Sequence, residues 1–214
     1  MINPMARSAA DLWRSLAARL MPILAAGLAG LVGLAAPGCG PQHPRVLVST
    51  GMGEIVVEVY PDRAPLTAAN FLRYARERRF DGASFYRTVT PDNQPDKVVK
   101  IEVIQGGLKD DPDSLALPPI PHETTAQTGL RHRDGTVSMA RSEPDSATSD
   151  FFICVGDQPE LDFGSKRNPD GQGYAAFGQV VRGMDVVRRI QRRPEDQQML
   201  KEPVKITDMA RVER

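Results

Sequence analysis

The sequence predicts a mainly β domain with two helices, and three observations support this fold class. Beyond about residue 45, most of the chain consists of short runs in which apolar and polar residues alternate, the pattern of half-buried strands. The 18 glycines and 18 prolines are dispersed between these runs, at the points where a strand-rich chain reverses direction. Only two segments carry apolar residues at the spacing of a helix.

The two predicted helices lie near the start and near the end of the domain. The first should run from Pro65 to about Arg78, because proline is well tolerated at the beginning of a helix. Its apolar stripe repeats at i, i+3, i+4 and i+7 and consists of Ala68, Phe71, Leu72 and Ala75. The second should cover roughly Met184 to Gln191, with three residues turned inward, namely Val186, Val187 and Ile190.

Length and composition limit the classes of function. The 214 residues are enough for one domain of ordinary size with its own core. Lys and Arg number 27, as do Asp and Glu, so the excess of positive charge that nucleic acid binding needs is missing. Three histidines without a Cys-x-x-Cys pair argue against a metal site. The acidic run from Asp110 to Asp113 lacks the glycine and final glutamate of a calcium loop.

The first forty residues do not fit the pattern of the domain. Three arginines precede an uncharged stretch, Leu20 to Ala36, that is rich in Leu, Ala and Gly. A basic segment followed by an apolar one is typical of a bacterial export signal, with an uncleaved membrane anchor as the alternative. We therefore expect an export signal over residues 1–39, a short linker over 40–44, a folded domain over 45–214, and a periplasmic location.

The end of this leader, Ala36 to Cys39, resembles the lipobox of bacterial lipoproteins. Gly38 and Cys39 fit that motif, whereas Ala36 and Pro37 depart from its usual residues. Two outcomes stay open: a lipid attached to Cys39 tethers the protein to a membrane, or cleavage nearby releases a soluble periplasmic product. The other cysteine, Cys154, lies in an apolar run and should be a small buried hydrophobe without a disulfide partner.

A single arginine in an apolar strand is the first candidate for a functional residue. If the run Ser84 to Val89 is a strand, Phe85, Arg87 and Val89 share one face. Taken alone, this pattern favours a surface arginine whose stem covers its neighbours while its head lies in water. Three later runs change that interpretation, and they are Ile104 to Gly107, Gly135 to Arg141, and Ser149 to Ile153.

In this order, the four runs resemble the signature of the cyclophilins, which are peptidyl-prolyl cis/trans isomerases. The resemblance extends from about Val46 to the C-terminus. Further matching segments are Val46 to Tyr60, Ala64-Pro65, Asn70-Phe71, Pro121 to Glu123, Leu161-Asp162, Ala176 to Gly178 and Gly183 to Val187. The resemblance implies a closed antiparallel barrel of eight strands capped by two helices.

The resemblance also implies the residues of the site. Arg87 would be the catalytic cation, and Gln105 would hydrogen-bond both Arg87 and the substrate. The remaining substrate contacts would come from Val103, Phe152 and Leu161 at the proline ring, from the backbone of Ala140 and Arg141, and from Asp150 and Tyr174 in the groove. No cofactor is implied. The partners would be proline-containing peptides and unfolded exported proteins, and the protein would act as a monomer.

Several residues depart from the family pattern. Glu102 stands where a phenylalanine is usual at the edge of the proline slot, so the slot could be shallower or closed in a different way. Asp150 replaces a glutamine and could either pair with Arg87 or favour substrates with a basic residue beside proline. Glu160 stands where eukaryotic members often carry a tryptophan that contacts cyclosporin, which predicts weak sensitivity to the drug. Tyr174 stands in place of a groove histidine.

Two polar insertions flank the expected groove. The segment between Arg87 and Gln105 spans seventeen residues, longer than is usual in the family, and contains the polar run Pro91 to Asp96. The second insertion runs from Ser165 to Gly173. Loops on a rigid barrel often set specificity, so either insertion could narrow access or recruit a partner.

Three functions follow from these features. The leading one is an isomerase, periplasmic or membrane-tethered, that assists the folding of exported proteins. The second is a binding module that keeps the groove without useful turnover, which Glu102 and Asp150 would favour. The third is a structural envelope lipoprotein, for which the presence of Arg87 and Gln105 would be hard to explain.

Overall fold

The computed structural model of the chain describes residues 43–109 and 115–212. The predicted export signal over residues 1–39, the lipid site at Cys39, most of the linker, and the acidic run Asp110 to Asp113 lie outside the described residues. In the described part of the chain, the helices are too short or too polar to cross a lipid bilayer.

Nine strands and three α-helices make up the described fold. The strands are β1 (Arg45–Thr50), β2 (Gly53–Val59), β3 (Ser84–Val89), β4 (Val103–Gly107), β5 (Thr136–Met139), β6 (Phe151–Cys154), β7 (Ala175–Arg182), β8 (Glu195–Asp196) and β9 (Met199–Val212). The helices are α1 (Pro65–Arg76), α2 (Thr125–Thr128) and α3 (Met184–Gln191).

Eight of the strands close into an antiparallel barrel. The order is β1-β2-β7-β5-β6-β4-β3-β9, and β9 pairs with β1 to complete the ring. The two-residue strand β8 forms a hairpin with the start of β9 and lies outside the ring. Closure leaves no long unpaired edge, which removes the hazard that an open sheet carries. The closed eight-stranded barrel expected from the sequence is confirmed.

The barrel interior is filled by aromatic and branched apolar side chains. Phe71 of α1 reaches the rings of Phe177 and Phe151, with centroid separations of 4.8 Å and 5.4 Å. Helix α3 packs against β2, β3 and β4 through the three apolar residues predicted to face inward. Both predicted helices are confirmed, although α1 ends at Arg76, two residues before the expected boundary.

Helix α2 was not predicted. It has only four residues, too few to leave an apolar stripe at helical spacing. A capping box starts it, because the Thr124 side chain accepts from the backbone N–H of Gln127 while the Gln127 side chain accepts from that of Thr124. Gly129 then ends it in the left-handed conformation, with φ of 69°.

A β-bulge in β3 changes which side chains face outward. Between Phe85 and Arg87 the register with β4 shifts by one residue, which leaves Tyr86 as the extra residue. The register with β9 is also interrupted there, because the partner changes from Val204 to Met199. Phe85 is therefore in the barrel interior, whereas Val89 joins a second apolar cluster with Val103. The prediction that Phe85 shares a face with Arg87 and Val89 was wrong, because strict alternation does not survive a bulge.

The second cluster lies on the face of β4 and β6 that is turned away from the barrel interior. Its buried members are Val89, Ile101, Val103, Phe152, Cys154 and Leu161. Cys154 is fully buried, as predicted, and burial raises the pKa of its thiol well above the ordinary value. This cluster forms the base of the candidate site.

Candidate active site

A cavity of about 130 Å³ opens beside the second apolar cluster. Its lining consists of Arg87, Ile101, Val103, Gln105, Ala140, Arg141, Phe152, Leu161 and Tyr174. The structure thus brings together eight of the nine groove residues named from the sequence. Asp150 is the exception, since it does not line the cavity, and Ile101 is an addition that the sequence did not reveal.

The apolar part of the cavity is a notch with fixed walls. Leu161 is fully buried, and Val103 and Phe152 are exposed by only 3% and 4%. The Tyr174 ring meets the Phe152 ring edge-on, with centroids 5.2 Å apart and planes at 88°. Such close packing leaves the notch walls little freedom to rearrange.

A buried polar trio supports the Phe152 ring from behind. The His132 ring stacks on Phe152 at a centroid distance of 6.0 Å, with planes at 18°. Its Nδ1 lies 2.8 Å from Asp162 Oδ1, and its Nε2 lies 3.0 Å from Ser138 Oγ. Although the trio resembles a hydrolytic triad, Ser138 and His132 are buried out of reach of any substrate. Its effect is to fix the position of the ring.

The Arg87 guanidinium donates hydrogen bonds to two side-chain amide oxygens, those of Gln105 and Gln198. Its Nη1 donates to Gln105 Oε1 at 2.8 Å, the contact expected from the family resemblance. Its Nε and Nη2 donate to Gln198 Oε1 at 3.2 Å and 2.5 Å. These bonds use three of the five N–H groups of an arginine side chain. One N–H on each terminal nitrogen has no partner among the described residues and remains for the cavity.

The environment of Arg87 is electrostatically unusual but does not discharge it. Burial lowers the pKa of the guanidinium from its ordinary value, and the nearby Tyr174 and Tyr86 oppose that shift. Because an arginine starts with a pKa above about 12, it stays protonated at neutral pH. The cavity therefore presents a fixed positive charge beside an apolar notch.

A hydrogen-bond relay fixes the orientation of the Gln105 amide. Gln105 Nε2 donates to the Tyr86 hydroxyl at 2.7 Å, and that hydroxyl donates to Asp150 Oδ2 at 2.5 Å. A carboxylate accepts only, so the Tyr86 proton must point toward Asp150 and its lone pair toward Gln105. The Gln105 oxygen is then left to face Arg87.

Asp150 therefore does not take the first of the two roles weighed from the sequence, which was pairing with Arg87. Its carboxylate bonds Tyr86 and the Lys109 backbone N–H, the latter at 3.2 Å, and the pairing with Arg87 is not formed. Burial raises the pKa of Asp150, and it also raises the pKa of Tyr86, to which the bond with Asp150 adds. The bulged Tyr86 lies between Asp150 and the arginine network, which no pattern in the sequence indicated.

Glu102, another departure from the family pattern, contacts the end of helix α3. The Glu102 carboxylate accepts from Gln191 Nε2 at 3.1 Å and does not line the cavity. Ile101, the residue before Glu102, lines the cavity instead. The Arg141 side chain is only 1% exposed because it pairs with Asp170 at 2.9 Å and donates twice to the Gly173 carbonyl.

The two insertions are tied to the barrel and to each other. Gln94, which is 1% exposed, donates to the carbonyls of Thr90 and Ile101 and so holds Ile101 in the cavity wall. The Arg141 contacts fasten the second insertion at its base. Arg167 Nη1 then donates to the Val99 carbonyl at 2.6 Å, which joins the second insertion to the first.

The fold and the site together define a class of protein: a closed barrel that carries a fixed arginine beside an apolar notch on its outer wall. Comparison with known proteins identifies the family. The model of the family described as cyclophilin type peptidyl-prolyl cis-trans isomerase matches residues 45–211. The chain belongs to the cyclophilin family, and it is a peptidyl-prolyl cis/trans isomerase.

Relatives from bacteria carry the same description. The chain is 42% identical over 148 residues to the peptidyl-prolyl cis-trans isomerase cyp18 of Streptomyces antibioticus, covering 68% of this chain and 81% of that protein. It is 38% identical over 146 residues to the peptidyl-prolyl cis-trans isomerase B of Escherichia coli, covering 68% and 82%. A cyclophilin-type isomerase structure from Cryptosporidium parvum shares the fold, with a TM-score of 0.65, 19% identity, and coverage of 80% and 99%.

Proposed function

We propose that Arg87 is the catalytic residue, and that it accelerates rotation about X-Pro bonds by stabilising the twisted transition state. The observation that carries this proposal is the guanidinium itself. It is held at both ends, stays charged, and keeps one N–H on each terminal nitrogen for the cavity. The substrates would be proline-containing peptides.

The chemistry of the prolyl bond explains why such a group suffices. Rotation is slow because the amide nitrogen shares its lone pair with the carbonyl, which sets a barrier of about 18–20 kcal/mol. In the transition state the bond is twisted by a quarter turn and the lone pair is localised on nitrogen. A cationic N–H donor beside that nitrogen stabilises the twisted state more than either planar isomer, and this difference is catalysis.

The notch provides the second requirement, which is a grip on one side of the rotating bond. Val103, Phe152 and Leu161 would hold the proline ring, with Ile101 and Tyr174 at its edges. Gln105 would bond the substrate as well as Arg87, and the backbone of Ala140 and Arg141 would contact the residues before proline. One cyclophilin-type isomerase of Cryptosporidium parvum was crystallised in the presence of the dipeptide Ala-Pro, which supports a ligand of this chemistry.

A protease-coupled assay on an Ala-Pro peptide tests the proposal. Removing one preorganised donor from an active site typically costs about 100-fold or more in rate, so Arg87→Ala should lose activity on that scale. Arg182→Ala is a matched control, because Arg182 lies on the exposed end of β7 and its side chain pairs with Glu54, away from the cavity lining. Equal rates for Arg87→Ala and the wild type would refute catalysis by Arg87 and favour a peptide-binding module.

The cellular setting is a separate proposal. We infer from the basic and apolar leader that the protein works in the periplasm and assists the folding of exported proteins, with Cys39 as a lipid attachment site. We also propose that it acts as a monomer. Labelling cells with a radioactive fatty acid, with Cys39→Ser as control, tests the tether. Fractionation of the labelled cells tests the location, and light scattering of the purified domain tests the monomer.

A further inference from the structure

We propose that Gln198 is a positioning residue for Arg87, an inference that rests on the proposed role of Arg87. Nothing in the sequence around Gln198 marks it as part of the site. In the structure, Gln198 binds Nε and Nη2 of the Arg87 guanidinium, whereas Gln105 binds Nη1. Without Gln198, the arginine would be anchored at Nη1 alone and its plane would be free to swing about that contact.

The first step of the argument is the geometry of the grip. A single oxygen, Gln198 Oε1, accepts from both Nε and Nη2, which fixes one edge of the planar fork. Gln105 Oε1 accepts from Nη1 on the other side. Two acceptors on different edges define the plane of a guanidinium, whereas one acceptor leaves a rotation. The catalytic donor direction therefore depends on both amides.

The second step is the fixed orientation of the Gln198 amide. Its Nε2 donates to the Asn93 carbonyl at 3.0 Å, so its oxygen has to face the arginine. Asn93 is itself held, because its side chain accepts from the Thr90 backbone N–H at 2.9 Å and donates to the Thr88 carbonyl at 3.1 Å. The first insertion, through Asn93, thus fixes the orientation of the Gln198 amide that binds Arg87.

The third step is the backbone at Gln198. Gln197 and Gln198 connect β8 to β9, and both have positive φ, at 49° and 72°. Asn and Gly are the residues that such a two-residue hairpin turn favours, because a side chain in this region is strained. The Gln198 backbone is held there by bonds to the Glu195 side chain at 2.6 Å and from the Thr88 backbone N–H at 2.9 Å. A strained glutamine at this position is explained by its contact with Arg87.

The neighbouring turn residue offers a matched control. Gln197 is exposed, has the same left-handed backbone, and makes no contact with the cavity. Glycine relieves strain at either position. Gln197→Gly should keep full activity with an unchanged or raised Tm. Gln198→Gly should also fold, yet lose about tenfold in kcat/KM, the effect of one charged hydrogen bond, with the loss in kcat rather than KM.

Two further measurements separate positioning from a structural effect. Gln198→Met keeps the side-chain length without the oxygen and should lose activity to the same extent, whatever the stability of the glycine variant. In NMR spectra, the Arg87 Nε–H signal should broaden in both Gln198 variants and stay sharp in Gln197→Gly. Wild-type kcat with Gln198→Met, or an unchanged Arg87 signal, would overturn the inference.

A double-mutant cycle distinguishes failure of this inference from failure of the proposed function. If Gln198 acts through Arg87, Gln198→Met should cause no further loss in the Arg87→Ala background. If Arg87→Ala is fully active, the proposed function is refuted. If Arg87→Ala is inactive and the single variant Gln198→Met is fully active, only the positioning role of Gln198 is refuted.

Discussion

Removing the Tyr86 hydroxyl should weaken both the fold and catalysis, for one structural reason. Tyr86→Phe keeps the ring but deletes the atom that accepts from Gln105 Nε2 and donates to Asp150 Oδ2. The Gln105 amide then loses the contact that fixes its orientation. Asp150 keeps the bond from the Lys109 backbone but loses its tyrosine donor.

The magnitude follows from the two contacts. A neutral hydrogen bond contributes about 1 kcal/mol and one to a charged group about 1.5–3 kcal/mol, so the free energy of unfolding should fall by about 2.5–4 kcal/mol. Activity should fall less than in an Arg87 variant, because the guanidinium remains. If the freed amide favours the flipped orientation by about 1 kcal/mol, only about one molecule in six keeps the productive orientation, and kcat/KM should drop about sixfold.

Urea unfolding and the protease-coupled assay, run on the same preparations, test both numbers. Tyr74→Phe is the control, because Tyr74 is buried in the interior cluster, is not part of the cavity lining, and its hydroxyl accepts from the Leu117 backbone N–H at 2.8 Å. It should lose stability and keep activity. The relay argument is refuted if Tyr86→Phe retains wild-type kcat/KM, or if the two variants lose activity equally.

Three other outcomes can be measured directly. Asp150→Gln should be no faster than the wild type, since Asp150 does not compete for Arg87; a faster variant contradicts the relay. Burial would raise the pKa of Asp162, but hydrogen bonds from His132 outweigh that effect, and the pKa is lowered. The ionised Asp162 therefore stabilises the folded protein above about pH 4, and this stabilisation is lost as the pH falls through the lowered pKa. Asp162→Asn should therefore flatten the acid side of the Tm profile, and a steep fall like that of the wild type would argue otherwise. Cyclosporin should inhibit weakly because of Glu160, and nanomolar inhibition would disprove this.

The comparison of sequence with structure separates two kinds of information. Alternation, helical spacing and the order of family motifs predicted the closed barrel, helices α1 and α3, and most of the cavity lining. The mainly β class and the two helices depend on which residues avoid water, and that preference is visible in residue type and period. The closure of the barrel and the cavity lining were predicted from the family resemblance. The contact between Arg87 and Gln105 was also predicted from the family resemblance.

What the sequence left open depended on contacts between distant segments. Gln198 lies 111 residues from Arg87 along the chain, and only the closure of β9 against β3 brings them together. The Tyr86 bulge reverses the alternation of β3, which moved Phe85 into the interior and gave Asp150 a tyrosine partner. By itself the sequence determined the barrel, the charge and the notch. The tertiary structure decided the orientation of the Arg87 guanidinium, because the direction of a hydrogen bond depends on geometry that no local sequence pattern encodes.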